Sequence, residues 1–552
     1  MHMRALKAIG SKGWAIACLI GVVISLPLWL WGVPSGNDLP HHYRLAIGFY
    51  DAFVSGDPYP SWLGMTNGGA GDPSVRFYPP GLYTLLALFR LVTGNWHFAT
   101  LLVFTSLTVL SSLGSYLYAK TISASRYAVL AALIYPLTPF HANELYQAGM
   151  YGQYAAACIL PFVFAFLELS LRDKRGSEAV FFALSYALII LFHLPMALFT
   201  TTAVVIYAAI RLWQKFDLRA IGRLGSGIFL GTALSCFYWI PVMRELSWKK
   251  PSGAGQGEWF NYANNFIFTT LPGETANYWI PVLVGVTLLL LVPAAFGLIR
   301  NRPLLVSQVI LAVVTFLLST KLSKPLWDLV PSLQETQFPW RWLTLTSLFL
   351  SVAATIALAE IHPLWNTRLR PLALVVAGTI AIVLSFTVSQ VIRTAIFIDK
   401  AGFETNIAAL QGSTTNEDFL PVWAGKVSAM PAPKIESTRT LEILEWKPEH
   451  KGFNIAAGPV EDARLGLLYY PLWRATAGAE TLPTKPDADG SLVVSLPAEA
   501  STVVVDFVEP RSTLASALVS SAALLAAAIF LGCRYAAGRQ KPRKISSVSQ
   551  AD

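Results

Sequence analysis

Long apolar runs recur along this chain, and they restrict its fold more than any other feature. A helix that crosses a bilayer needs about twenty consecutive, mostly apolar residues. The sequence of 552 residues contains twelve runs that approach this requirement: 14–33, 97–119, 127–143, 152–171, 178–192, 196–212, 224–243, 279–299, 303–319, 342–360, 371–391 and 513–533. The predicted fold class is therefore an all-α membrane protein with about 12 transmembrane helices.

The composition agrees with this prediction. Hydrophobic residues make up 54% of the chain and charged residues only 13%, whereas soluble domains carry roughly 25% charged residues. The formal net charge is +9, but most of the excess Lys and Arg lies in short connections beside apolar runs. Positive charge at such positions sets membrane topology, so we expect the lipid bilayer as a partner and no nucleic acid.

The basic connections also predict an orientation. They include 172–175, 211–223, 300–302, 368–370 and 539–544. The positive-inside rule places these connections and both termini in the cytoplasm, which predicts a multi-pass membrane protein. The loop 34–96 and the long polar region 392–512 then face the extracytoplasmic side.

Two shorter patterns refine this organisation. Residues 82–92 are apolar but too short to span, and Pro79-Pro80 stands where a helix tolerates proline, so we expect an interfacial or re-entrant helix there. Short runs such as 441–446 and 502–508 alternate with turn residues, as is typical of β-strands. The predicted parts are a transmembrane core (1–391), an extracytoplasmic β-rich domain (392–512), and a last transmembrane helix with a basic cytoplasmic tail (513–552).

The loop after the first span carries the strongest candidate for chemistry. Asp38 lies a few residues beyond that span. It is either an N-cap of a helix starting near Leu39, or a general base at the membrane face. His41 and His42 follow within one turn, and Asp38 and His42 have the i,i+4 spacing of one helical face. This pair is the candidate for a divalent metal, although hydrogen-bonded structural histidines are the plainer interpretation.

Other polar residues on the same predicted side are candidate substrate ligands. Glu144 and His193 stand at span ends, where an interfacial charge or a packed structural histidine is the alternative. Arg341, with Gln337 nearby, either snorkels within an aromatic belt or pairs with a phosphate. Arg76 is a further phosphate candidate.

Several motifs resemble known membrane enzymes. Asn37-Asp38-Leu39-Pro40-His41, Tyr59-Pro60-Ser61-Trp62 and Phe77-Tyr78-Pro79-Pro80 are similar to the first outer loop of GT-C-type membrane glycosyltransferases. More narrowly, with His193-Leu194-Pro195 and Phe338-Pro339-Trp340-Arg341, the chain resembles the YfhO-like family, often labelled "6-pyruvoyl-tetrahydropterin synthase-related". Tyr470-Pro471-Leu472-Trp473 departs from the usual Tyr-Pro-Gly-Trp of that family, which concerns a turn and not the chemistry. The label implies no pterin chemistry.

The resemblance implies a GT-C-like fold in the bacterial inner (cytoplasmic) membrane. It also implies a transferase that uses a polyprenyl-phosphate sugar as donor on the outer face of that membrane, with a glycan, lipid or protein as acceptor. Asp38 matches the acidic residue of the first outer loop and would be the catalytic base. The candidate substrate-binding residues are His41, His42, Arg76, Tyr78, Glu144, His193, Gln337 and Arg341. We expect no required cofactor, with a divalent metal at Asp38 and His42 as the alternative. A transporter or flippase of a lipid-linked saccharide and a non-catalytic envelope-glycan-binding assembly protein are the rival functions.

Overall fold

The computed structural model describes residues 11–123, 126–172, 176–250, 257–269, 276–298, 303–361, 370–411, 419–425 and 434–539. Helices account for most of the described chain before residue 411. They are α1 (Ser11–Ile24), α2 (Leu26–Trp31), α3 (Leu39–Val54), α4 (Ser74–Phe77), α5 (Gly81–Thr93), α6 (Trp96–Ile122), α7 (Val129–Ile134), α8 (Pro139–Tyr146), α9 (Tyr151–Arg172), α10 (Ser177–Phe192), α11 (Leu194–Gln214), α12 (Leu218–Leu234), α13 (Cys236–Glu245), α14 (Ala276–Leu288), α15 (Leu291–Leu298), α16 (Pro303–Leu318), α17 (Lys324–Leu329), α18 (Pro331–Gln334), α19 (Leu343–Ile361), α20 (Arg370–Arg393), α21 (Lys400–Gln411) and α22 (Arg511–Arg539).

Within the described residues, seven helices are long and apolar enough to cross a membrane. They cover Lys12–Trp31, Trp96–Ile122, Tyr151–Arg172, Leu194–Gln214, Pro339–Ala359, Leu374–Arg393 and Arg511–Ala537. The pair α12 and α13 makes an eighth candidate if its two bent halves form one span. A helical membrane fold is thus confirmed, whereas the expected number of about 12 spans is not.

Breaks and short helices explain the difference in number. The run 127–143 is two short helices, α7 and α8, separated by a turn at residues 135–138. Pro136 lies within that turn and Pro139 follows it, and proline lacks the N–H that a continuous helix needs. Helices α10 and α16 are regular but have only 16 residues each, and α12 and α13 meet at an angle of 71°.

The short helix predicted after Pro79-Pro80 is present as α5. Pro80 is its N-cap residue, and Gly94 ends it in the left-handed conformation with φ of 64°. Glycine adopts this conformation without the steric cost of a Cβ. The start at the proline pair is therefore confirmed, and the interfacial placement of the helix stays a prediction.

The strands after residue 434 form two antiparallel sheets, as the alternating pattern predicts. They are β3 (Ile435–Glu436), β4 (Leu441–Trp446), β5 (His450–Ile455), β6 (Glu461–Leu468), β7 (Trp473–Ala477), β8 (Glu480–Leu482), β9 (Thr484–Pro486), β10 (Ser491–Leu496) and β11 (Ser501–Phe507). The orders are β3-β6-β10-β9 and β4-β5-β11-β7-β8. Inward-facing apolar side chains such as Phe453, Leu465 and Val503 are buried between them. A separate pair, β1 (Val33–Pro34) with β2 (Phe397–Ile398), joins the start of the first loop to the end of α20.

The first loop lies against the β-domain. The Trp62 ring packs on Trp473 with ring centroids 5.4 Å apart. The amide of Leu468 donates to the carbonyl of Ala70 at 3.1 Å, and the amides of Ser61 and Trp62 donate to the Glu449 carboxylate. These side-chain and backbone contacts attach the first loop to the β-domain.

Two titratable groups near this attachment, Glu449 and Lys451, make the unfolding free energy depend on pH in opposite directions. Burial raises the pKa of Glu449 to about 7, although hydrogen bonds from the Ser61 and Trp62 amides act in the other direction. Burial also lowers the pKa of Lys451 to about 7. Because the pKa of Glu449 is raised, its contribution to the unfolding free energy falls as pH rises from the unfolded-state pKa towards 7. Because the pKa of Lys451 is lowered, its contribution to the unfolding free energy increases as pH rises above 7.

We therefore expect the unfolding free energy contributed by this pair to have its minimum near pH 7. Glu449→Gln, which keeps a carbonyl acceptor, should abolish the decline between pH 5 and 7, and Lys451→Met should abolish the rise between pH 7 and 9. Each slope corresponds to about 1–2 kcal/mol over two pH units. Thermal unfolding of the purified protein at these pH values measures both slopes, and unchanged profiles in the two variants would contradict the assignment.

Candidate functional site

Asp38 stands at the start of α3, with its side chain exposed. It occupies the N-cap position, and its backbone carbonyl accepts from the amide of His42 at 3.0 Å. Its carboxylate makes no capping hydrogen bond. The interpretation of Asp38 as a structural N-cap therefore lacks the side-chain hydrogen bond that defines such a cap. The Asp38 side chain is exposed at the start of α3.

His42 is held inside the protein by both ring nitrogens. Nδ1 lies 2.8 Å from the Tyr83 hydroxyl and Nε2 lies 3.2 Å from the Gly149 carbonyl. Because a carbonyl only accepts, Nε2 carries the proton and Nδ1 accepts from Tyr83. Burial, aided by His41, lowers the pKa of His42 to about 3, so the ring is neutral. A metal at the predicted Asp38–His42 pair would have to displace one of these hydrogen bonds.

An aromatic wall lies beside Asp38, formed by His41, Tyr78 and Phe419. The His41 ring centroid is 5.0 Å from that of Tyr78 and 6.1 Å from that of Phe419. Phe419 also stacks on Phe77 at 6.1 Å with nearly parallel rings. Its φ of 60° is rare for a residue with a Cβ, and such strain persists where surrounding contacts over-determine it. The sequence analysis did not identify Phe419.

Arg341 lies at the start of the span that contains α19. Its Nη1 donates to the Thr336 carbonyl at 3.0 Å, and the guanidinium lies over the Phe338 ring at 4.7 Å. Its buried Nε has no hydrogen-bond partner among the described residues. Asp38 and Tyr78 act electrostatically on this guanidinium, so the loop after the first span and the turn before α19 meet at one site.

Gln337 and His193 make local hydrogen bonds, which shape the turn before Arg341 and the start of α11. Gln337 has a φ of 65° and its amide donates to the Gln334 carbonyl, which forms the turn leading to Arg341. His193 connects α10 to α11, and its Nδ1 accepts from the amide of Met196 at 3.2 Å. Burial lowers the pKa of His193 well below its ordinary value, and Arg341 and His42 add to this effect. His193 is therefore a neutral helix cap near the site.

Glu144, which the sequence predicts as a substrate ligand, has several protein partners, and its role in substrate binding stays a prediction. It is fully buried, and its carboxylate accepts from Gln153 at 2.8 Å and from Thr344. Its second oxygen lies 2.9 Å from His141 Nδ1. Because protein groups occupy both oxygens, the contribution of Glu144 is to hold Thr344, one turn beyond Arg341.

Arg76 is also not available for the phosphate that the sequence suggested. Its Nε and Nη2 donate to the two oxygens of Glu245 at 2.7 and 2.6 Å, and Nη1 and Nη2 pair with Glu509. The side chain is only 4% exposed. Two carboxylates therefore compensate this one cation, which joins the first loop to α13 and to the segment preceding α22.

The sequence left a divalent metal at Asp38 and His42 as an alternative. Across the ranges that the structure describes, no group of three or more His, Cys, Asp or Glu side chains is arranged to hold a metal ion. The remaining candidate pair is Asp38 with His42, and both ring nitrogens of His42 already have protein partners.

The fold and site define a multi-pass helical membrane protein with a β-domain beside a polar site at one end of its helices. The family model described as "6-pyruvoyl-tetrahydropterin synthase related domain; membrane protein" matches residues 75–396. This match covers more than half of the chain, and the protein belongs to that family of membrane proteins. The resemblance seen in the sequence motifs is therefore confirmed.

Solved structures similar to parts of this chain were also found. They are ArnT from Cupriavidus metallidurans bound to undecaprenyl phosphate (16% identity, 67% of this chain and 64% of that chain, TM-score 0.43), arabinofuranosyltransferase AftD from Mycobacteria (14%, 72% and 27%, 0.45), and the Archaeoglobus fulgidus oligosaccharyltransferase tethered with an acceptor peptide (14%, 74% and 56%, 0.40). The chain spans less than two thirds of the length of each. No curated protein matches this chain.

Proposed function

We propose that this protein is an inverting membrane glycosyltransferase, which moves a sugar from a polyprenyl-phosphate-linked donor to an envelope lipid, glycan or protein on the extracytoplasmic face. The observation that carries this proposal is the pair of charged groups at the starts of α3 and of the span that contains α19: the exposed Asp38, and Arg341, whose buried Nε has no hydrogen-bond partner among the described residues. A base for the acceptor and a cation for the phosphate are the two charged groups that this displacement needs.

Asp38 would act as the general base. The acceptor heteroatom attacks the anomeric carbon while the bond from that carbon to the phosphate oxygen breaks. The electron pair of the broken bond leaves with the lipid phosphate, and Asp38 takes the proton of the acceptor. Because the phosphate is stable as an anion, no general acid is required, unlike glycoside hydrolysis with its two carboxyl groups. A single displacement inverts the anomeric configuration.

Arg341 would bind the phosphate of the donor. One of its donors is used by the Thr336 carbonyl, and the Phe338 ring supports its plane, so the remaining N–H groups can bind phosphate oxygens in the fork geometry that arginine favours. The wall of His41, Tyr78 and Phe419 supplies ring surfaces on the Asp38 side, where the sugar would lie.

We expect Arg341→Gln to weaken binding of undecaprenyl phosphate about ten- to a hundredfold, because hydrogen bonds to charged groups contribute about 1.5–3 kcal/mol. Native mass spectrometry of the purified protein with added undecaprenyl phosphate measures this binding. Arg90→Gln is the matched control, since the Arg90 guanidinium also lies over an aromatic ring, that of Tyr50 at 5.0 Å. Equal affinities of Arg341→Gln and wild type would remove Arg341 from the site.

Transfer itself is tested in cells. A deletion strain should accumulate one lipid-linked sugar and lose that sugar from one class of envelope glycan, and the wild-type gene should restore both, as measured by mass spectrometry. An unchanged glycan profile in the deletion strain would overturn the proposal. Movement of a labelled lipid-linked sugar across proteoliposome membranes, with no transfer product, would favour the transporter instead.

A further inference from the structure

A cavity of about 610 Å³ lies beside the last helix, and neither Asp38 nor Arg341 lines it. Its walls come from α10, from the bent pair α12–α13, and from α22. This volume is in the range of small-molecule binding sites in proteins.

The cavity depends on the bend at Ser235. The Ser520 hydroxyl of α22 donates to the Ala233 carbonyl at 2.9 Å and accepts from the Phe237 amide at 3.0 Å. Both contacts lie at the junction of α12 and α13, where the helix direction changes by 71°. Helix α22 is therefore fixed to the bend, and the change of direction leaves space between α22 and α10.

The walls of this cavity are mostly apolar. Leu184, Leu188 and Leu191 line it from α10 with the i, i+4, i+7 spacing of one helical face. Ala517 and Leu524 line it from α22. Leu188 and Leu524 are 39% and 56% exposed, and exposed leucines on apolar helices of a membrane protein face lipid chains. The cavity therefore opens sideways to the bilayer.

The polar end of the cavity is lined by one acidic and one basic side chain. It is lined by Tyr59, Ser61, Arg76 and Glu509. Among the described lining residues Arg76 is the one cation, and it is already paired with Glu509 and with Glu245, which lies behind it. A phosphate here would meet carboxylates without an uncompensated cation, which is unfavourable in a partly buried setting. Hydroxyl groups, in contrast, can donate to the half-buried Glu509 carboxylate.

We infer that this cavity binds an uncharged, hydroxyl-headed diacyl lipid of the diacylglycerol type, with an acyl chain between α10 and α22 and the hydroxyl at Glu509. This is a second lipid site, separate from the donor site proposed at Arg341. It concerns binding alone and does not depend on the proposed transfer.

The full chain is placed in phosphatidylcholine nanodiscs that contain equal amounts of dioleoylglycerol and phosphatidylglycerol, and the lipids retained after detergent extraction are quantified by mass spectrometry. Wild type should retain dioleoylglycerol about tenfold over phosphatidylglycerol, which corresponds to about 1.4 kcal/mol. Ala517→Trp should abolish this enrichment by filling the cavity. Ala515→Trp is the matched control, because it lies about 200° around the same helix and does not line the cavity.

Glu509→Gln tests the recognition of the head group. Removing one negative charge should shift retention towards phosphatidylglycerol. If Ala517→Trp does not fold, Ser521→Trp fills the same cavity from the exposed surface of α22. Equal retention by the two alanine variants, or a preference of wild type for phosphatidylglycerol, would overturn the inference.

Discussion

Arg76→Met should destabilise the protein by about 3–5 kcal/mol, the cost of removing one partner of a buried ion pair. Glu245 is 2% exposed and would lose its compensating cation. Its remaining hydrogen bond comes from the Tyr470 hydroxyl at 2.7 Å, which does not neutralise it. The same substitution also releases Glu509, so the first loop would lose its ionic attachment to both α13 and the β-domain.

Thermal unfolding of the purified protein measures the effect, and limited proteolysis reports detachment of the β-domain. Arg464→Met is the matched control, because Arg464 also pairs with more than one carboxylate, namely those of Glu436, Asp487 and Asp489. Arg464 is 27% exposed, so we expect a loss of at most about 1 kcal/mol there. Equal losses in the two variants would show that burial does not distinguish the two clusters.

The partners of Arg76 could not be predicted from the local sequence. The cation was identified as a candidate phosphate ligand, but its partners lie 169 and 433 residues away in the chain. Periodicity and turn chemistry describe neighbours within a few residues, so they predict strands such as β4 and the start of α5. They do not tell whether an arginine meets a carboxylate from another part of the chain.

The sequence identified some residues of the candidate site and missed others. Asp38 and Arg341 were named from their positions at the ends of apolar runs, and Tyr78 from its motif; in the fold, Asp38 and Tyr78 act electrostatically on Arg341. Glu144 has an equivalent position but turns inward to His141 and Thr344. Phe419 had no local signal, because its strained backbone and its stacking on Phe77 arise from tertiary packing.

We expect Asp38→Asn to reduce sugar transfer about 10²- to 10⁴-fold, the usual contribution of a positioned general base. Asparagine has nearly the same size, but its amide cannot take a proton from the acceptor. The amide oxygen of asparagine can still accept hydrogen bonds, so we expect the variant to fold with nearly unchanged stability, which thermal unfolding of the purified protein checks. Transfer is measured with membranes from the complemented deletion strain and purified lipid-linked sugars.

Asp57→Asn in the same loop separates chemistry from loop structure. The Asp57 carboxylate accepts from the Tyr59 amide at 3.0 Å, and an asparagine carbonyl can accept the same bond. Loss of transfer in Asp38→Asn but not in Asp57→Asn, with both proteins equally stable and both binding undecaprenyl phosphate, is the pattern of a base. A stable Asp38→Asn protein with full transfer would remove the base from the mechanism, and Arg341 would then mark a lipid-phosphate binding site without catalysis by Asp38.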